Sequence, residues 1–368
     1  MSRVLLFTAV LSLGCMPSVS PEVVVQDTGV GEIVESPSVS VSRAVVSTVA
    51  DDYSLGALAT VELDGLALHD TLAPTSGDAV VRTAGTLTIV LNRMNTDTFQ
   101  VFEGSWATPK LDVALPDLSN PQDAVLCGGK LWVTLHNGID LPAYDPRTGL
   151  LVGSADLSPW AGVDGRAEAA SMVVVDGQIL VAIQQLKQDD GWSSDGGAIV
   201  QVDCTDGVAV DWVGIGPSPS IRKGPSASVA YKVGLYGPLD GRLGLLDHES
   251  KEDVILVEEA DLGVDIYGFD VSQQHLVYTT ADDDWRFQVH CLDLATGITT
   301  HSDTTSSYLS GVSMDPFGRV WVSRRLGWSS TEAEPTGLDL IDVRTCQSIF
   351  TEGGPMATAL PPFNVVFQ

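Results

Sequence analysis

The stretch Asn120–Gly149, NPQDAVLCGGKLWVTLHNGIDLPAYDPRTG, decides the fold of this chain. An apolar run ends at Gly128-Gly129, and a two-glycine loop is typical of a tight hairpin because both residues tolerate positive φ. The next run, KLWVTL, is rich in β-branched and aromatic residues, which favour strands. The stretch predicts four short strands, over 122–127, 130–135, 141–144 and 150–155. Four antiparallel strands in about forty residues are the size of one propeller blade.

The end of the third strand in this stretch is an apolar run closed by an acid and a turn, and this pattern recurs through the chain. The recurrences are 39 to 58 residues apart and fall at Asp64, Glu103, Asp145, Asp203, Asp247, Asp293 and Asp342. Seven such endings predict seven blades. The acids suit the hairpin between the third and fourth strands, so we interpret them as structural rather than catalytic.

Each end of the chain contains part of a blade. Residues 54–73 supply a third and a fourth strand with no first or second strand before them, whereas residues 356–368 supply a first strand and at most a second. We therefore predict an all-β fold, a seven-bladed β-propeller of four-stranded antiparallel blades in which N- and C-terminal strands share one blade. Such a closure leaves no open sheet edge, so we expect deletion of residues 361–368 to unfold the domain cooperatively.

The segment from Leu131 to Gly149 resembles the YVTN-type β-propeller repeat. In that repeat, Tyr-Val-Thr-Asn is followed by a turn and by an apolar strand closed by Asp-x-x-Thr-Gly. Here Leu131-Trp132-Val133-Thr134 takes the first position, Leu135 replaces the Asn, and weaker variants occur at 88–102 and 177–186. The resemblance implies a bacterial surface lipoprotein with a surface-layer-like propeller, and it implies no assigned activity.

The N-terminus, MSRVLLFTAVLSLGC, has the shape of a signal peptide, since Arg3 precedes an apolar core too short to span a membrane. Its Gly-Cys ending resembles a bacterial lipobox, although Ser12 stands where the box usually has Leu. We predict a lipoprotein signal peptide over 1–14, a lipidated Cys15 that begins a flexible tether over 15–44, and the propeller over 45–368. An ordinary secretory signal cut elsewhere is the alternative. Because Met16 is not Asp, the resemblance implies the outer membrane or cell surface.

The charge balance excludes some partners. The chain has 48 acidic and 19 basic residues, a net charge of −29. Nucleic acid needs a basic footprint and is excluded as a partner, and adsorption to anionic lipid is disfavoured, so we expect membrane attachment through the lipid anchor only. The acidity is explained by solubility of an exposed protein, with cation binding or a basic partner as the alternative.

Four cysteines remain after Cys15, an even number in an exported chain, which favours disulfides. They allow three connectivities. Cys127 and Cys204 fall in the neighbouring blades three and four, and Cys291 and Cys346 in blades six and seven. We predict the neighbouring-blade pairs, because the Cα atoms of a disulfide must approach within about 7 Å.

Long loops concentrate on one face of the predicted propeller. The connections between second and third strands and between successive blades all lie on this face, which we call the long-loop face; the opposite one is the hairpin face. The loops of the long-loop face carry the candidate binding residues Trp160, Trp192, Trp285, Trp328, Asp189, Asp190 and Asp283. Loops on a rigid scaffold often bind partners, and Trp is favoured at interfaces. The alternative is that each Trp packs onto its own loop or the neighbouring blade.

An enzymatic alternative places a site in the central channel. The channel candidates are Asn92, Arg93, His136 and Asn137. Some propellers, such as calcium-dependent lactonases, place oxygen ligands there, and Asn92, Asp123, Asn137 and Gln185 would be the corresponding residues. No cofactor is expected, but acid runs such as 189–195 and 282–284 leave Ca²⁺ binding open.

The sequence thus carries two hypotheses about function. We prefer a monomeric, membrane-anchored binding or scaffold module that recognises a protein or glycan through the long-loop face. The alternative is a metal-dependent, lactonase-like hydrolase or lyase. No catalytic motif, such as His-Glu-x-x-His or Gly-x-Ser-x-Gly, occurs in the chain.

Overall fold

The computed structural model describes residues 41–187, 190–194, 196–327, 334–350 and 354–368. The predicted signal peptide, Cys15 and nearly all of the predicted tether lie outside these residues, and those predictions stand untested. Within the described ranges, no helix is long and apolar enough to cross a membrane.

The described strands form seven blade-sized antiparallel sheets, which we number as blades one to seven, and one separate two-stranded hairpin. Blade one contains β1 (Arg43–Val49), β2 (Gly56–Glu62), β3 (Leu68–His69) and β4 (Pro74–Thr75), the last pairing beside β2. Blade two contains β5 (Ala79–Ala84), β6 (Leu87–Asn92), β7 (Thr98–Phe102) and β8 (Leu111–Ala114). Blade three contains β9 (Pro121–Cys127), β10 (Lys130–Leu135), β11 (Asp140–Tyr144) and β12 (Leu151–Asp156).

Blade four contains β13 (Ala169–Val175), β14 (Gln178–Ile183), the inserted hairpin of β15 (Leu186–Lys187) and β16 (Ser193–Ser194), then β17 (Ala198–Asp203) and β18 (Ala209–Gly214). Blade five contains β19 (Ser220–Lys223), β20 (Ser228–Val233), β21 (Arg242–Asp247) and β22 (Asp253–Glu258). A short helix, α1 (Glu259–Leu262), leads to blade six with β23 (Asp265–Val271), β24 (His275–Ala281), β25 (Phe287–Asp293) and β26 (Thr299–His301). Blade seven contains β27 (Tyr308–Met314), β28 (Arg319–Arg325), β29 (Gly337–Asp342) and β30 (Gln347–Ser348); the last strand is β31 (Pro362–Phe367).

The predicted all-β, seven-bladed architecture is confirmed. In blades two to seven the four main strands follow one another across the sheet in chain order. The seven predicted strand endings all close a third strand of a blade or follow it within two residues. The structural role of their acids is visible at Asp145, whose Oδ1 accepts the N–H groups of Arg147 at 2.7 Å and Thr148 at 3.2 Å. The same turn geometry recurs after Asp203, Asp247 and Asp293.

The two chain ends share blade one, as predicted, but not in the predicted proportion. β31 is the first strand of this blade, and it pairs with β1 in a register that aligns Val46 with Val365. The N-terminal segment therefore supplies the second, third and fourth strand positions, with β3 and β4 both pairing with β2, and the C-terminus supplies the first. The prediction that no second strand precedes residue 54 is wrong. The missed strand is RAVVSTV, which is buried along nearly its whole length because it lies between β31 and β2.

Apolar side chains fill the space between neighbouring blades. Trp132 of blade three, fully buried, belongs to one cluster with Met172 and Val181 of blade four. Trp321 of blade seven packs with Val46 and Val365 of blade one. Burial of this apolar surface, worth roughly 25 cal/mol per Å², holds each blade to the next one.

Two disulfides join neighbouring blades, with the connectivity that the sequence predicts. Cys127 of blade three is bonded to Cys204 of blade four, with their Cα atoms 5.5 Å apart. Cys291 of blade six is bonded to Cys346 of blade seven, with a Cα separation of 5.7 Å. Because structural disulfides persist in oxidising compartments, this pair of crosslinks indicates an extracytoplasmic protein.

Candidate functional site

Trp160 packs inward. It ends a short 3-10 helix, Ser158–Trp160, in the connection between blades three and four. Its indole N–H donates a hydrogen bond to the Asp211 carboxylate on β18, and its ring packs against the buried cluster between these two blades. Trp160 therefore follows the alternative interpretation, in which the side chain fastens its own loop.

Trp285 also packs within the protein, as part of an aromatic cluster. Its ring stacks on Tyr236 of blade five at a centroid distance of 5.3 Å and meets Tyr267 of blade six edge-on at 6.3 Å. Tyr267 continues the cluster to Phe287 at 5.2 Å. The Trp285 loop is shaped by Asp282, whose side chain accepts backbone hydrogen bonds within the turn. Trp285 thus supports another aromatic residue instead of meeting a partner directly.

Trp192 is the exposed tryptophan among the candidates that the structure describes. It lies at the tip of the β15–β16 hairpin, and 56% of its surface is exposed. The base of the hairpin is fixed by Glu168, a fully buried residue whose carboxylate accepts the Leu186 N–H. Ser194 adds a hydrogen bond from its hydroxyl to the Gln184 carbonyl at 3.2 Å. The ring is therefore presented to solvent by an anchored element.

Beside Trp192 lies a small groove between blades four, five and six, which we call the aromatic groove. It encloses about 250 Å³, and its lining includes Leu186, Trp192, Lys232, Tyr236, Asp265 and Tyr267. Tyr236 is 54% exposed. The Tyr236 loop is held by Asp265, whose Oδ1 accepts the Gly237 N–H at 3.0 Å. The long-loop face therefore presents two exposed aromatic rings around one cavity.

Two charged groups lie among these rings. Lys232 forms no hydrogen bond or ion pair with any described residue; burial lowers its pKa, while Glu259, Asp265 and Asp240 raise it in part. Within the same described ranges, the Oδ2 atom of Asp265 accepts no hydrogen bond, although Asp265 itself is 8% exposed. Burial, and then a hydrogen bond with Tyr236, raise the pKa of the Tyr267 hydroxyl. The groove thus combines a hydrogen-bond donor, the Lys232 ammonium, with an acceptor, the Oδ2 atom of Asp265, and neither is used by another described residue.

Among the described long-loop candidates, Asp190 and Asp283 do not line this groove. Asp190 accepts the Ser193 hydroxyl at 3.0 Å, and Asp283 is exposed on the turn of blade six. Trp328 and Asp189 lie outside the described residues. The sequence analysis missed Tyr236, Tyr267, Lys232 and Asp265. A signal existed in LYGPLDG, a loop between second and third strands that places an aromatic residue beside turn formers.

The four channel candidates are committed to protein partners. The side-chain oxygen of Asn92 accepts the Ser76 N–H at 2.8 Å, and its amide N–H donates to the Thr98 hydroxyl at 3.0 Å. Arg93 pairs with Asp78 at 2.6 Å and donates to Gln122 on β9 at 2.8 Å. His136 Nδ1 faces Asn137 Oδ1 at 3.2 Å, and burial lowers the pKa of the imidazole. Asn137 in turn donates to the Leu118 carbonyl at 2.8 Å.

The central channel holds charged side chains from several inner strands, within a cavity of about 330 Å³. Arg82 and Asp123 form an ion pair with a 2.5 Å separation. Arg222 lies over the Phe269 ring at 5.6 Å, and burial lowers its pKa. Asp270 lies here too, half-buried, and desolvation raises its pKa. The sequence analysis included Asp123 only as an oxygen ligand and missed the other three.

Most of the oxygens proposed for a calcium-dependent enzyme are engaged in contacts within the protein. The side-chain oxygens of Asn92 and Asn137 already face Ser76 and His136, and both oxygens of Asp123 accept protein hydrogen bonds. Gln185 uses its amide on the Trp160 carbonyl. Among the described residues, no group of three His, Cys, Asp or Glu converges as a metal site requires.

A wider depression of about 870 Å³ lies on the hairpin face between blades five, six and seven. Its lining includes two ion pairs, Arg319 with Asp315 at 2.5 Å and Arg344 with Asp342 at 2.7 Å. Phe317, 68% exposed, lies on the turn between β27 and β28 at its edge. The charges of these two pairs therefore neutralise one another within the depression.

The sequence matches no protein-family model and no curated protein. Solved propellers are similar in fold. Citrobacter koseri AztD is 11% identical over 89% of this chain and 98% of its own, with a TM-score of 0.51. Kuenenia stuttgartiensis hydrazine synthase is 12% identical over 65% of this chain and 74% of its own, with a TM-score of 0.50.

The β-propeller domain of the Trilobed protease from Pyrococcus furiosus is 10% identical over 81% of this chain and 88% of its own, with a TM-score of 0.52. That domain is described as having an open velcro topology. In the present chain the ring is closed, because β31 pairs with β1. At these identities the similarity shows the fold alone: the chain is a seven-bladed β-propeller.

Proposed function

We propose that this protein is a monomeric extracytoplasmic binding module, anchored to the outer membrane or cell surface by a lipid on Cys15, which recognises a protein or glycan partner through its long-loop face. The two interblade disulfides support export. The resemblance of the leader to a lipobox and of the blades to YVTN repeats supports the surface-lipoprotein assignment.

One observation carries the proposal. Trp192 and Tyr236 are each more than half exposed, and they border the same groove on the long-loop face. Large rings in solvent cost free energy unless a partner covers them, and aromatic residues dominate the centres of interfaces. Phe317 on the hairpin face is another exposed ring, and the Arg319 guanidinium lies 5.3 Å from its centroid.

Binding to intact envelopes of the producing cells tests this function. The purified propeller should bind saturably, and the double variant W192A/Y236A should bind at least roughly tenfold more weakly. F317A is the matched control, since it removes an exposed ring from the opposite face. Equal binding by all three proteins would contradict recognition through the long-loop face.

The anchor is tested separately. The wild-type chain should incorporate radiolabelled fatty acid and fractionate with membranes, whereas C15A should do neither. Membrane-free wild-type protein with an N-terminus elsewhere would favour the ordinary secretory signal.

A further inference from the structure

We infer that the aromatic groove binds one uncharged pyranose ring of a glycan, with the ring stacked on an aromatic side chain and its hydroxyl groups bridging Lys232 and Asp265. This inference rests on the proposed binding function and narrows it to a ligand class.

The size of the groove favours a single sugar ring. Its volume of about 250 Å³ is below the roughly 300–1,000 Å³ typical of pockets for drug-sized ligands. A stable protein partner covers about 800 Å² on each side, which is far more than this groove offers. The remaining sugars of a glycan would extend along the long-loop face into solvent.

The aromatic rings suit the faces of a sugar. The π face of an aromatic ring carries negative charge, and the C–H groups on one face of a pyranose are slightly positive, so the two surfaces attract each other. Tyr236 is held in place by Trp285 behind it and by Tyr267 at 5.5 Å beside it. This support lowers the entropy lost on binding.

The polar groups suit hydroxyls, which both donate and accept hydrogen bonds. Lys232 offers donors that no described residue uses, and Asp265 offers the free Oδ2 acceptor. Adjacent hydroxyls of one sugar can accept from the ammonium and donate to the carboxylate at once. An apolar side chain of a partner protein would leave both charged groups without hydrogen-bond partners, which disfavours such a ligand.

Charge decides between neutral and acidic sugars. Asp240, Glu259 and Asp265 surround the single ammonium of Lys232, and the whole chain has a net charge of −29. A uronic acid would therefore meet net repulsion at the groove and over the whole surface. A neutral hexose or N-acetylhexosamine avoids this repulsion.

The test uses the disulfide-bonded propeller on an array of neutral gluco-, manno-, galacto- and N-acetylglucosamine trisaccharides, with oligogalacturonate as the anionic probe. We expect saturable binding to at least one neutral trisaccharide, confirmed by calorimetry. W192A and Y236A should each weaken it at least roughly tenfold, and F317A should leave it unchanged. K232M and D265N, which preserve side-chain size, should weaken it several-fold; the Asn can still accept the Gly237 N–H, so the loop stays folded.

The outcomes separate this inference from the broader function. No saturable binding by any neutral trisaccharide, or tighter binding of oligogalacturonate, overturns the inference. Envelope binding that depends on Trp192 and Tyr236 but survives periodate oxidation and is abolished by protease would preserve the proposed function with a protein partner and reject the sugar. Envelope binding that periodate abolishes supports the glycan.

Discussion

Asp270, on the inner strand of blade six, accepts a 2.7 Å hydrogen bond from the backbone N–H of Met314 on the inner strand of blade seven. Asp123 of blade three accepts the Met172 N–H of blade four at the same distance. Each of these carboxylates also accepts the N–H of the residue after it. The two acids thus connect neighbouring blades beside the channel, a function that their spacing in the sequence did not reveal.

Removing these carboxylates should destabilise the ring to different extents. D270A leaves the Met314 N–H unpaired and should lower the free energy of unfolding by about 1–3 kcal/mol. D123A also removes the ion-pair partner of Arg82, whose guanidinium keeps hydrogen bonds to Asn364 and to the Val81 and Gln122 carbonyls, and should cost more, about 3–5 kcal/mol. Urea denaturation measures both, with the exposed D283A as the control, expected within about 0.5 kcal/mol of wild type. An equal loss for both channel variants would contradict the role of the ion pair.

Deletion of residues 361–368 should unfold the propeller cooperatively. The deletion removes β31, so β1 loses the strand on its inner side and the buried side of Val46 becomes exposed. Circular dichroism should show loss of the thermal transition. A milder variant, V365D, places a charge in the same cluster and should lower the melting temperature without abolishing folding. A truncated protein with an unchanged transition would refute ring closure by this strand.

The two disulfides should contribute similar stability. They close segments of 77 and 55 residues between the bonded cysteines, and loop entropy changes only slowly with length. C127A/C204A and C291A/C346A should each lose about 2–5 kcal/mol in urea denaturation. The two losses should differ by less than about 1 kcal/mol on the entropic model. If removal of one disulfide left the free energy of unfolding unchanged, the segment that it closes would already be constrained in the unfolded chain.

His290 should make the protein less stable as the solution becomes mildly acidic. Burial lowers the pKa of this imidazole from 6.5 to about 4, so between these values the unfolded chain binds a proton that the folded chain rejects. Stability is therefore full above pH 6.5 and falls toward pH 4, by about 3 kcal/mol. H290Q keeps a partner for the Thr280 hydroxyl, which lies 3.0 Å from Nε2, and should flatten the decline between pH 6.5 and 4.

The control for that measurement is H69Q, since the side chain of His69 is 56% exposed. Its stability profile should follow the wild type across the same range. A profile of H290Q that matches wild type would instead assign the pH dependence to other groups, such as the buried His136.

The carboxyl group of Glu334 should affect the stability of the fold in a lower pH range than His290 does. Burial alone would raise the pKa of its carboxyl, but hydrogen bonds from Thr305, Ser306 and Ser307 outweigh burial and bring the pKa to about 2. Its stabilising effect is therefore complete above about pH 4.5 and disappears as the pH falls toward 2. E334Q should be less stable than wild type at pH 7 and equal to it near pH 2. A constant difference across this range would rule out the carboxylate charge as the cause.

The repeat made the fold predictable, but a pattern shared by every blade does not indicate which residues form the candidate site. The pattern around Asp145 recurs because every blade needs the same hairpin, so seven copies reveal the architecture and place the cysteines on neighbouring blades. The second strand of blade one escaped detection because RAVVSTV directly follows a polar segment and acquires its partners from the far end of the chain. Periodicity within a segment carries no information about such a partner.

The candidate groove could be predicted only in part. Trp192 was found because its loop is long. Tyr236, Lys232 and Asp265 come from two further blades, and only the closure of the ring brings them together. Trp160 and Trp285 show the converse: a tryptophan in a long loop gives no indication of whether it faces solvent or packs against its own support.

The two disulfides join some neighbouring blades of the ring and leave others without a covalent link. One links blades three and four and the other links blades six and seven, so blade five stands between two crosslinked pairs and contains no cysteine. Its seams with blades four and six are held by packing and by hydrogen bonds, such as the one from the Ile221 N–H to the Ser171 hydroxyl at 2.7 Å and the one from the Gly237 N–H to Asp265 at 3.0 Å. The aromatic groove spans both seams. The aromatic groove is therefore built by three blades that no disulfide joins to one another, so its shape depends on non-covalent contacts alone.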